Sequence, residues 1–146
     1  MAVVSKAPAP HLALGVAGEE AALKTLLRRG VRLLARNWRP AGAERGLELD
    51  IVLMEGDTVV FVEVKTRSHD AAERPVYGAF TGSKSAKMVR AARQFLAAHD
   101  LWSRPCRFDL VCVRMDPENR AHVECYNNVV ELGQTLDNRN AAWQPW

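Results

Sequence analysis

The sequence predicts an α/β or α+β sandwich, and three observations carry that expectation. Two stretches, 12–29 and 83–99, place apolar residues at helical spacing. Five shorter runs alternate apolar with other residues or concentrate β-branched ones, as strands do. The order is helix, three strands, helix, two strands, which suits helices packed on a sheet.

In residues 12–29, Val16, Leu23, Leu26 and Leu27 recur at helical spacing and Gly30 supplies the stop. Residues 31–37 are a short apolar run that reads as a strand, and Trp38-Arg39-Pro40-Ala41-Gly42 as a turn or loop. Residues 47–54 and 58–66 alternate apolar with other residues on either side of Glu55-Gly56-Asp57, a hairpin pattern. The polar segment 67–83, with Pro75 and two glycines, is a loop of a length that is often functional. Helical spacing returns over 83–99, with Met88, Ala91, Ala92, Phe95 and Leu96 on one side and Ser83 as N-cap. Residues 107–115 and 121–126 supply the last two strands. Which strands run parallel is not legible at this level.

A chain of 146 residues, 48% of them hydrophobic, suits one domain with a real core. Residues 1–11 and 133–146 read as tails around a domain at 12–132. The net charge of +3 (20 basic against 17 acidic) permits a nucleic-acid partner without implying one. Three cysteines without CxxC spacing argue against a disulfide framework or a zinc knuckle. With no apolar stretch long enough for a signal peptide or a membrane span, a cytoplasmic protein is expected.

The chemistry is expected at the hairpin. If Gly56-Asp57 is a two-residue type II′ turn, opposing residues sum to 113, so Asp50 faces Glu63 and Glu48 faces Lys65. All four then share one face, while Leu49, Ile51, Val60, Val62 and Val64 form the other. Facing side chains have Cβ atoms about 4.5–5.5 Å apart, where like charges destabilise, so two carboxylates there call for a proton or a cation. Mg²⁺ favours carboxylate oxygens and is completed by water and substrate phosphate, a combination suited to phosphodiester hydrolysis with Lys65 orienting the water. The plainer alternative is a solvated strand face with an ordinary ion pair. Against it, Glu63 sits in Val59-Val60-Phe61-Val62-Glu63-Val64, hydrophobic enough for a central strand covered on both faces.

Glu19 falls between Leu23 and Leu26 on the helix circumference, so it is either a further acid near the metal or a residue at the helix start favoured by the dipole. Lys84, Lys87, Arg90 and Arg93 spread over about half of the second helix and could neutralise phosphates or form a solvated face. Lys84 is the best placed of these, and Arg67, His69 and Arg74 form a weaker basic set on the loop. Histidines 11, 69, 99 and 122 show no ligand spacing. Trp143 and Trp146 could stack on bases or simply cover a neighbouring patch.

These residues resemble the YraN-like group of bacterial proteins, which is similar to the PD-(D/E)XK, or restriction-endonuclease-like, nucleases. The resemblance covers about residues 15–130 and rests on Gly15-x-x-Gly18-Glu19-x-x-Ala22, Asn37-Trp38-Arg39, Glu48-Leu49-Asp50, Phe61-Val62-Glu63-Val64-Lys65-Thr66-Arg67, Ser83-Lys84 with Lys87, and Cys106-Arg107-Phe108-Asp109. It implies an αβββαβ core with a mixed central sheet flanked by helices. It also implies a Mg²⁺ (or Mn²⁺) site at Glu19, Asp50 and Glu63, with Lys65 catalytic. Two departures stand out. Gly46-Leu47-Glu48-Leu49-Asp50 has one extra residue before the acid, and Tyr126-Asn127-Asn128-Val129-Val130 replaces the family's Asn-Ala-Phe.

The expected function is a metal-dependent nuclease acting on DNA, branched or single-stranded forms included, with Lys84, Lys87, Arg67 and Arg90 contacting the nucleic acid. A homodimer is compatible with it. The alternatives are a nucleic-acid-binding module of the same fold that does not cut, and a protein-interaction module.

Overall fold

A computed structural model describes residues 10–42, 46–69 and 82–130. The elements are α1 (Pro10–Leu27), β1 (Arg32–Trp38), β2 (Leu49–Glu55), β3 (Thr58–Arg67), α2 (Gly82–Ala98), β4 (Cys106–Met115) and β5 (Ala121–Tyr126). They build an α+β fold around one mixed five-stranded sheet in the order β1-β2-β3-β4-β5. Strands β1, β2 and β3 are antiparallel neighbours, β3 and β4 are parallel, and β4 and β5 are antiparallel. A parallel pair cannot be joined by a hairpin, so the chain between β3 and β4 crosses over the sheet through α2.

The hairpin register is the one the turn chemistry predicts. The ladder runs from Glu55↔Thr58 to Ile51↔Val62, every pair summing to 113. Gly56 has φ +58° while Asp57 stays outside the left-handed region, as a type II′ turn requires. Strand β3 is central, with Val59, Val60, Phe61, Val62 and Val64 buried. Val59 and Phe61 join Val52, Phe108, Val89, Ala92, Phe95 and Leu96 in a core beneath α2. Val60, Val62 and Val64 join Ile51, Leu53, Val111 and Val113 beneath Ala22, Leu23 and Leu26 of α1. Burial of both faces explains why this strand reads as a continuous apolar run.

Leu49 departs from the expected face. It packs under α2, whereas Ile51, Val60, Val62 and Val64 lie under α1. The cause lies in β1: Arg36 pairs with Ile51 and Trp38 with Leu49, which sets Asn37 opposite Asp50, and Asn37 takes a left-handed φ of +46°. That residue breaks the two-residue alternation. Arg36 therefore reaches Glu20 on α1, while Trp38 meets Phe95 on α2 edge-on at 5.1 Å.

Other boundaries move for local reasons. Helix α1 starts at Pro10, so Pro10 and His11 belong to it rather than to the N-terminal tail; proline is tolerated in a first turn because its missing N–H would have no helical partner. Its apolar stripe is shorter than expected, since Val16 and Leu27 are 61% and 41% exposed while Leu23 and Leu26 are buried against the sheet. Trp38 belongs to β1, Arg67 to β3 and Ser83 to α2, which begins one residue earlier at Gly82. Arg74, Trp143 and Trp146 lie outside the described residues. The last described segment is well packed despite its departure from the family pattern: Val129 N–H donates to Phe108 O at 2.8 Å, and Val130 is buried in the α2-side core. All three cysteines are free thiols, and among the described residues no helix is long and apolar enough to cross a membrane.

Candidate active site

The site forms where β2 begins and β3 passes beyond the last pair of their ladder. Past Ile51↔Val62, the Val64 N–H is taken by a side chain, donating to Asp50 Oδ2 at 2.9 Å. Asp50 is thereby pinned to β3 beside Glu63. Burial and then the Glu63 charge push the Asp50 carboxyl up to about 7, with Glu19 adding to the effect and the Val64 N–H opposing it. The two carboxyls lie within hydrogen-bonding reach of each other. Glu63 Oε1 also pairs with Lys65 Nζ at 3.0 Å.

Beside this anionic pair lies a cationic one. Burial works against the charge of Lys65, but Glu63 outweighs it and the net shift is upward. The Lys84 ammonium, from the first turn of α2, lies within hydrogen-bonding reach of Lys65, and that neighbour lowers its pKa. Carboxylates crowd carboxylates and ammoniums crowd ammoniums on adjoining patches. Such a surface is relieved by a cation on one side and an anion on the other.

A second acidic group flanks the first. A Cβ on Gly18 would overlap the Thr66 side chain, so only glycine lets α1 approach β3 this closely. Glu19 consequently faces the sheet edge, half-buried. In the amide orientation its neighbours require, Asn37 Nδ2 donates to Glu19 Oε2 at 3.1 Å and Glu48 Oε1 at 3.3 Å. Burial raises the Glu19 pKa, Asn37 opposes that, and the Glu48 and Glu63 charges add to it. Glu48 does not face Lys65 as the hairpin register predicts. It lies before β2 and pairs with Arg39 at 2.9 Å.

The match to known proteins places this chain. The model of the uncharacterised protein family UPF0102 matches residues 18–113, which includes every group just described. The chain belongs to the UPF0102 family. A UPF0102 protein of Nitratidesulfovibrio vulgaris is 46% identical over 134 residues, covering 92% of this chain and 96% of the relative. Another, from Oleidesulfovibrio alaskensis, is 52% identical over 103 residues, 70% of this chain but only 48% of that longer protein. Among solved structures, SfsA of Pyrococcus furiosus in complex with Ca²⁺ gives a TM-score of 0.38 at 15% identity, covering 78% of this chain and 62% of that one.

In this UPF0102 chain the fold brings Glu19, Asp50, Glu63, Lys65 and Lys84 together. Arg67 lies two residues beyond Lys65 and acts on the Cys112 thiol. Lys87 is exposed on the flank, its ammonium toward Gly46. Arg90 is separate: six residues, or about 9 Å, along α2 from Lys84, it lines a cleft of about 410 Å³ with Arg93, Gln94, Ala97 and Trp102. Sequence reasoning assigned no role to Asn37 or Gly18. A lone asparagine at the end of an apolar strand was the available signal for the first, and a glycine beside a stripe-facing acid for the second.

The donor set consists of carboxylate oxygens, which suits a hard cation such as Mg²⁺ or Mn²⁺. Among the described residues no three carboxylate, imidazole or thiolate groups converge on one metal position. Two carboxylates, Asp50 and Glu63, with water and substrate phosphate for the remainder, match the way Mg²⁺ is commonly held. The crowding of half-buried carboxylates at Asp50 is the observation that fits a cation there.

Proposed function

We propose that the chain is a metal-dependent nuclease that hydrolyses phosphodiester bonds in DNA with Mg²⁺ or Mn²⁺. One observation carries the reading: a half-buried carboxylate pair, Asp50 and Glu63, abuts an ammonium pair, Lys65 and Lys84. Phosphodiester hydrolysis needs opposite charges in that order, anions to hold a cation and cations to hold the phosphate.

Asp50 and Glu63 would hold the metal, and Glu19 adds negative potential from the α1 side. When present, the cation stabilises charge developing on phosphate oxygens. The Val64 N–H fixes one oxygen of Asp50 and so sets the direction of the carboxylate. Lys65, anchored by Glu63, orients the attacking water, and Lys84 offsets the charge of the phosphate. With Asp50 near 7, metal uptake displaces a proton and strengthens as pH rises.

Calorimetric titration of Mg²⁺ and Mn²⁺ into wild type and Asp50→Ala, with cleavage of linear, single-stranded and branched DNA read alongside, tests the proposal. Metal binding and cleavage should both disappear in Asp50→Ala. Lys65→Ala should still bind metal but cut at least about 100-fold more slowly. Unchanged cleavage in either variant removes that residue from the mechanism. A second reading, a DNA-binding module that does not cut, draws on the Glu63–Lys65 ion pair and the lack of a three-donor cluster among the described residues. DNA binding indifferent to metal and to Asp50, without cleavage, would select it.

A further inference from the structure

We propose that Arg67 and Arg114 together grip a backbone phosphate of the nucleic acid, next along the strand from the phosphate held at Lys65 and Lys84. The inference rests on the nucleic-acid reading of the site and adds a second contact point outside the carboxylate cluster.

Strands β3 and β4 are parallel and in register, so Lys65 lies beside Cys112 and Arg67 beside Arg114. Phe61 and Phe108, also paired, both enter the α2-side core. Two-residue alternation then places Lys65, Arg67, Cys112 and Arg114 on that same face. The Cys112 thiol feels the charges of both Lys65 and Arg67, as that placement requires. Adjacent strands are about 4.8 Å apart and two residues advance about 6.6 Å. The two guanidinium groups therefore start side by side, one step beyond Lys65.

Like charges directly opposed on a sheet are destabilising, so such a pair calls for an anion. The protein supplies one to many of its other arginines: Arg36 has Glu20, Arg39 has Glu48, Arg104 has Asp57, Arg107 has Asp109 and Arg120 has Asp116. Among the described residues Arg67 and Arg114 have no such carboxylate. On the same face of β5, Glu124 lies opposite Cys112 and accepts the Tyr126 hydroxyl at 2.6 Å, and Asp116 beyond β4 is taken by Arg120 and His122. Arg114 is exposed and Arg67 partly so, leaving both within reach of a ligand. The occupant they suit is a phosphodiester: two planar forks match its oxygens, and a strand seated at Lys65 would present its next phosphate here.

The test is fluorescence anisotropy of labelled single-stranded and branched DNA against wild type, Arg67→Gln/Arg114→Gln and Arg67→Lys/Arg114→Lys, without metal and across a salt series. The double Gln variant should bind about tenfold or more weakly, with a log–log salt slope shallower by about 0.7 to 0.9 for the one lost phosphate. Its melting temperature should hold or rise, because repulsion is removed. The Lys variant should recover most of the slope, and Arg120→Gln, a surface control, should bind as wild type. Equal affinity and slope in the Gln variant overturn the proposal, as does failure of the Lys variant to recover the slope. Arginine-dependent binding with no cleavage by wild type would sustain this contact and sink the nuclease reading; cleavage with binding indifferent to both arginines would do the reverse.

Discussion

Asn37, Asp50 and Gly18 show how single residues set this site. Asn37 takes a left-handed backbone that only glycine, asparagine and aspartate visit readily, and its amide then bridges Glu19 and Glu48. Asp50 leaves its regular strand role to accept the Val64 N–H, and so stands beside Glu63. Gly18 is the contact point on the helix side, where a methyl group would collide with Thr66. Gly18→Ala should therefore cost about 1–3 kcal/mol despite alanine's better helix propensity, and should shift Glu19 away from Asn37. Urea unfolding measures the cost. A second Thr66→Ala substitution should restore part of the loss, since it removes two of the atoms the new methyl meets. An unchanged or raised urea midpoint in Gly18→Ala would mean that α1 and β3 are not in close contact.

Helix α2 joins the core to the chemistry. Its apolar side carries Phe95, fully buried, with its ring 5.1 Å from Trp38, 5.9 Å from Phe61 and 4.0 Å from His99, while its first turn delivers Lys84 to Lys65. Truncation in a site this tightly surrounded leaves a cavity, so Phe95→Ala should destabilise by about 3–5 kcal/mol. A loss under about 1 kcal/mol by urea denaturation would contradict the packing described. Much of this element was legible beforehand. Met88, Ala91, Ala92, Phe95 and Leu96 show helical spacing, and all five are buried. The hairpin register was legible as well, because a two-residue turn leaves one pairing. The parallel β3–β4 pair was not, since both faces of a central strand are apolar and the pattern carries no direction. Leu49 was misplaced because period two assumes an unbroken strand, and the break lies at Asn37 on the neighbouring one. The turn register already brought Asp50, Glu63 and Lys65 near one another, although the ladder ends at Ile51↔Val62 and the Val64 N–H holds Asp50 in place; the Glu48–Arg39 pair was not legible, because it depends on where the chain enters β2.

At the scale of the whole molecule, the site is a local strain on stability that its ligand should remove. A carboxyl with a folded pKa above its unfolded value binds more protons in the native state, so stability is full below the unfolded value and declines as pH rises toward the folded one. Asp50, raised to about 7, acts between about pH 4 and pH 7, and Glu19, also raised, acts in the same sense. Other shifts lie outside that window. Asp116 is lowered by His122 and the Arg120 N–H, so its contribution is lost only in strong acid, and Lys65 is raised, so its contribution persists until well into alkali. Without divalent metal, wild type should thus melt close to Asp50→Asn at about pH 4 but clearly below it at about pH 8, where only wild type holds the extra charge. The gap corresponds to as much as a few kcal/mol, since each pKa unit is worth about 1.4 kcal/mol. Millimolar Mg²⁺ should narrow the gap at the higher pH, because a ligand that binds only the folded wild type stabilises it alone. Melting curves that differ by the same amount at both pH values would show that the Asp50 carboxyl does not carry the buried charge. A gap that opens with pH and stays open in Mg²⁺ would keep the buried charge but deny that the cation neutralises it.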